Sequence, residues 1–110
     1  MNDLVRKLSQ GEHVLEASVR PEKTVESFKA AIDRGYVHVR FTQTRGGTEL
    51  GFSLDKERSD LSAGDFEGKT GKIKIAGKLV LDYEPVRCVA EIDLKTLDGH
   101  GHLELINAEQ

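Results

Sequence analysis

Aromatic side chains are scarce in this chain: four Phe, two Tyr and no Trp in 110 residues. That scarcity argues against the stacking platforms on which sugars and nucleic-acid bases are held. Cysteine occurs once, at Cys88, so no disulfide forms within the chain, and a reducing compartment, by default the cytoplasm, is expected. No apolar run approaches the roughly 18 residues of a membrane span. The first thirteen residues carry Asp3, Arg6 and Lys7 and lack the apolar stretch of a signal peptide, so no membrane association is expected. An excess of one charge is also missing. Sixteen basic and nineteen acidic residues are interleaved for a net charge of −3, which leaves no basic footprint and no expected nucleic-acid partner.

What the chain has in quantity is alternation. Between residues 71 and 106, apolar side chains recur at every other position, with charged or small residues between them. Period-two patterning of that length is the mark of antiparallel strands with one buried and one wet face. Ile73, Ile75, Leu79, Leu81 and Tyr83 share one parity, with Gly77 marking either a bulge or a tight turn and Glu84-Pro85 ending the stretch. Val86, Cys88, Ala90, Ile92 and Leu94 follow on the next strand, and a turn near Asp98-Gly99 leads to a last strand with Leu103 and Leu105.

The first half adds two helices and three strands. Leu4, Val5 and Leu8 form one face of a two-turn helix, with Asn2 or Asp3 as cap and Gly11 as stop. Leu15, Ala17 and Val19 alternate as a strand ending at Pro21. Residues 21–34 read as the main helix: Pro21 in the first turn, Val25, Phe28, Ala31 and Ile32 as its apolar stripe, Arg34-Gly35 as its end. Val37, Val39 and Phe41 and then Leu50, Phe52 and Leu54 make a hairpin around the Arg45-Gly46-Gly47 turn. Residues 55–69 are a loop pinned by Leu61 and Phe66, with one helical turn at 61–64. The expected fold is therefore a single α+β domain spanning residues 1–110. It has a curved, mainly antiparallel sheet of about six strands, one main helix on one face, and a short N-terminal helix.

Apparent motifs lose their force when placed on these elements. Residues 63–70, Ala-Gly-Asp-Phe-Glu-Gly-Lys-Thr, imitate a phosphate loop, and residues 79–82 imitate a magnesium-holding strand. A phosphate loop needs a strand before it and a helix after it, whereas a strand follows here. Cys88 lies on the apolar parity and reads as core. His38 and Arg40 share the outward face of their strand and are the candidate ligand-binding pair. Asp98, His100, His102 and Glu104 occupy alternate positions, which on a strand sets them on one face about 6.5 Å apart. His100, His102 and Glu104 are thus candidate zinc ligands, with His13 or His38 as a further donor brought near in space.

Val80, Val89 and Ile106 break the pattern by placing apolar side chains on faces that should be wet. Val80 and Val89 are the candidate interface residues, and a two-fold homodimer is the expected way to cover them. The favoured function is accordingly a small cytoplasmic binding or protein-interaction module with no cofactor, acting on a protein or small-molecule partner. Two alternatives stand beside it. One is an acid-base hydrolase or isomerase with a sheet-lined cleft, using His38, His100, His102 and Glu104. The other is a metal-binding protein built on residues 98–104.

Overall fold

The computed structural model describes residues 3–19, 22–44, 46–81 and 83–106. Within them the elements run α1 (Asp3–Leu8), β1 (His13–Ala17), α2 (Val25–Arg34), β2 (Tyr36–Phe41), β3 (Thr48–Ser53), β4 (Lys72–Leu81), β5 (Glu84–Asp93) and β6 (Asp98–Leu105). All six strands belong to one antiparallel sheet in the order β3-β2-β1-β6-β5-β4. The α+β architecture with a curved sheet is as the patterning predicts.

Alternation decides which face is inside. Leu15 and Ala17, Val37, Val39 and Phe41, Leu50 and Phe52, Ile73 and Ile75, Val86, Cys88, Ala90 and Ile92, and Leu103 all turn to the concave side and form one buried cluster. Val25, Phe28, Ala31 and Ile32 of α2 and Val5 and Leu8 of α1 close that cluster from the other side. The Cys88 thiol sits inside it, and burial pushes its pKa up to about 12. Native protein at neutral pH should therefore resist a thiol-reactive disulfide reagent and react only after unfolding in guanidinium. Rapid labelling of the native state, followed by mass spectrometry, would contradict this packing.

Several boundaries differ from the sequence reading for identifiable reasons. The main helix begins at Val25 and not at residue 21, because Thr24 is the cap: its backbone is extended and its hydroxyl accepts from the Ser27 N–H at 3.1 Å. Its end is as expected, with Gly35 at φ 83° donating to the Ala31 and Ile32 carbonyls. Asn2, Pro21, Arg45 and Asp82, to which the sequence reading assigns cap, turn or motif roles, lie outside the described residues. Gly77 is neither bulge nor turn, since β4 pairs with β5 without a break from Lys72↔Asp93 to Leu81↔Glu84. Glu84 and Pro85 begin β5 instead of ending β4. The last turn also moves: residues 94–97 form it, with Leu97 at φ 63°, and Asp98-Gly99 already belong to β6.

The two outer strands, β3 and β4, come back toward one another, so the sheet almost closes on itself. A Cβ on Gly77 would run into the Ser53 carbonyl oxygen and the Phe52 ring. A glycine is what lets the two edges touch there. On one side of that contact, residues 54–70 strap the free edge of β4. Asp60 and Lys74 exchange both backbone hydrogen bonds at 2.8 Å, Asp55 N–H donates to the Ala76 carbonyl at 2.7 Å, and the Ala76 N–H donates to Ser59 Oγ at 3.0 Å. The region resembling a phosphate loop is part of this strap, closed by an Asp65↔Thr70 bridge and followed by β4.

Candidate protein-docking site

Beyond Gly77 no such strap joins the two edges at Lys78 or Val80 among the described residues. The gap between them is a groove of about 470 Å3 lined by Tyr36, residues 49–53 and residues 78–81. Val80, next to last in β4, is 68% exposed, and Tyr36, first in β2, is 46% exposed. Tyr83, between β4 and β5, is 98% exposed. Edge strands with apolar side chains are normally covered or charged, because they offer ready surfaces for another chain.

Register sets the out-of-pattern apolar residues on one face, in two rows separated by a charged one. On the outer sheet face, Val80 lies opposite Pro85, whose carbonyl accepts from the Ile106 N–H at 3.2 Å, so Val80, Pro85 and Ile106 form one cross-strand row. Two rows away, Ala76 lies opposite Val89, and Val89 opposite His102. The out-of-pattern residues Val80, Val89 and Ile106 thus fall on one face of the β4–β5–β6 half of the sheet. Lys78, Arg87 and Glu104 form the row between them.

Two of the candidate metal ligands, His102 and Glu104, have protein partners. His102 Nδ1 contacts the Glu12 carboxylate at 2.9 Å and its Nε2 contacts Glu104 at 3.2 Å, so both ring nitrogens are engaged by protein carboxylates. His100 stands on the same strand face, opposite Val14 and Glu91. Among the described residues no group of three or more His, Cys, Asp or Glu converges to hold a metal ion. A groove of about 400 Å3 does lie beside these histidines, lined by Glu12, Lys74, Val89, Ala90, Glu91, His100 and His102. The His102–Glu12 contact has the distance that acid-base work asks for. A histidine with both nitrogens occupied, however, has none left to address a substrate.

The Glu104 carboxyl is drawn three ways. Burial pushes its pKa up, but hydrogen bonding and charge from His102 and then Arg87 outweigh this and hold it below the ordinary glutamate value. A depressed pKa in the folded state means stabilisation that is present above the unfolded pKa and lost as pH falls through the folded one. Replacing Glu104 with Gln should therefore flatten the acid side of the stability profile. The effect should stay under about 1 kcal/mol, because the side chain is partly exposed. Urea unfolding at neutral pH and near pH ~3 measures it; an unchanged slope of stability with pH would contradict the assignment.

The ligand-binding candidates lie elsewhere. His38 and Arg40 are exposed on the outer face of β2, two strands away from His100 in the order β2-β1-β6. The His38 ring meets the Tyr36 ring edge-on at 5.1 Å, and Arg40 folds over Gly47 while lying opposite Glu16 and Glu49. His38 therefore borders the β3–β4 gap through Tyr36.

Sequence patterning does not single out Tyr36, Gly51, Ser53 and Lys78. Their place beside the groove depends on β3 and β4 being the two outer strands of a nearly closed sheet, which no local pattern reveals. Glu12 escapes a sequence reading for a related reason. It meets His102 only because β1 pairs with β6, ninety residues later in the chain.

Exposed apolar side chains beside an open sheet edge are the marks of a protein-interaction module. The chain belongs to the core binding factor beta subunit family, whose model matches residues 1–110. No curated protein matches the chain.

Proposed function

We propose that this chain is the non-catalytic subunit of a heteromeric complex and that it docks a Runt-domain protein, the partner type of core binding factor beta subunits. The docking face is the β3–β4 gap together with the outer row of Val80, Pro85 and Ile106. One observation carries the placement: Val80 and Tyr36, both well exposed, flank a groove whose other wall is an unstrapped strand edge. Solvent contact at such a patch is unfavourable by about 25 cal/mol per Å2 of apolar surface, which partner binding recovers.

The homodimer expected from sequence competes for the same residues, and the family match lends it no support. In the heteromeric reading, Val80 and Val89 are reserved for a different chain and the isolated subunit is a monomer. Exchanging both for Lys should leave the native mass of the free protein at one chain. A dimer that dissociates on this double substitution would restore the homodimer.

Backbone amide NMR of the isotope-labelled chain, titrated with an unlabelled Runt-domain protein, tests the placement. Shifts concentrated at Tyr36, Gly51, Ser53, Lys78 and Val80 are expected. Shifts confined to α2, or none at stoichiometric partner, would reject this face as the docking site.

A further inference from the structure

We infer that the protein docked on this face presents an acidic side chain, Asp or Glu, to Lys78 and Arg87, seated among apolar contacts. This deepens the docking reading above and rests on it. Charges along β4 are paired across the ladder to β5. Lys72 lies opposite Asp93 and Lys74 opposite Glu91, so each faces a carboxylate across the β4–β5 ladder. Lys78 breaks the series, for its opposite residue is Arg87. Like charges directly opposite on one sheet face repel.

Little within the chain offsets that pair. Lys78 is exposed and has no ion-pair partner among the described residues. The Arg87 side chain is only 16% exposed and has one carboxylate, Glu104, at a long 3.5 Å. Glu104 is itself shared with His102. The Arg87 Nε is buried with no hydrogen-bond partner, the one such side-chain atom among the described residues. A guanidinium has five N–H donors, so this one is under-served.

Position turns the deficit into a recognition element. The Lys78–Arg87 row runs between Ala76–Val89 on one side and Val80–Pro85–Ile106 on the other. An apolar partner surface laid over these rows removes water from both cations. Without a carboxylate, that burial is costly. With one, the contact becomes a charge-assisted hydrogen bond in a drier setting, where it is stronger than at an open surface. The surplus is local, in a chain whose net charge is −3, and a two-fold pairing of this face would set Lys78 and Arg87 against their own copies, cation on cation.

Random peptides displayed on phage and selected on the intact chain test this whatever the partner's sequence. Enriched peptides should carry Asp or Glu beside apolar residues. They should weaken at least about tenfold against Lys78→Glu and against Lys78→Gln, and equally when their acid is changed to the amide. Both substitutions are at an exposed position, and circular dichroism confirms folding. Peptides that are lost with Val80→Lys but bind Lys78→Glu and Lys78→Gln as tightly as the native chain would overturn the acidic contact and leave the docking face standing. Selected peptides indifferent to all three substitutions, or no enrichment at all, would overturn both.

Discussion

Substituting Gly77 by valine is expected to destabilise the fold by about 3 kcal/mol, at the upper end of overpacking penalties. It should lower the melting temperature by roughly 10–15 °C. The reason is specific to where the sheet closes. The first carbon of any side chain at this position meets the Ser53 carbonyl oxygen and the Phe52 ring, and a backbone carbonyl has no rotamer by which to retreat. Relief requires β3 and β4 to part, which pulls Phe52 out of the core it fills. The same substitution at Gly46, where a Cβ meets nothing within 4 Å, is a useful contrast despite its positive φ. There the penalty should stay near the roughly 1–2 kcal/mol per residue that left-handed backbone costs an ordinary residue. Thermal melts of the two variants check the pair; equal loss in both would mean that edge contact at Gly77 does not hold the sheet shut.

Val80→Lys is expected to weaken binding of a Runt-domain protein about a hundredfold while leaving the fold intact. A central apolar anchor in an interface is worth roughly 2 kcal/mol or more, and about 2.8 kcal/mol corresponds to that factor. The fold should not suffer, because Val80 is 68% exposed and contributes nothing to the buried cluster. A lysine there also places a third cation beside Lys78 and Arg87. Titration calorimetry reads the affinity and a thermal melt reads the stability. Undiminished affinity would remove Val80 from the interface, whereas a collapsed melting temperature would show that the strand end has a structural role.

The strands and the main helix are legible in the sequence because burial imposes its period directly on the residues: two for β2 to β5, and the spacing of Val25, Phe28, Ala31 and Ile32 for α2. What escapes are features set by chain conformation or by distant pairing. The helix start is displaced because Pro21 is a plausible first-turn residue, while the Thr24 hydroxyl actually caps the Ser27 N–H. The last turn is displaced because Leu97 takes a left-handed backbone that leucine rarely adopts, so the Asp-Gly pair looks the better turn. The proposed docking face is half visible. Val80 and Val89 announce themselves as apolar residues on the wrong parity, but Tyr36, Gly51 and Ser53 join them only through the return of β3 toward β4. The histidine face is visible as an alternating series, yet its chemistry depends on Glu12, which arrives from the far end of the chain.

The most direct test of a heteromeric subunit is its mass in solution, measured by size exclusion with light scattering, alone and with a Runt-domain protein. One chain alone, and a complex of one chain with one partner in the mixture, are expected, the latter abolished by Val80→Lys. A stable dimer of this chain that ignores both the partner and the substitution would contradict the heteromeric reading.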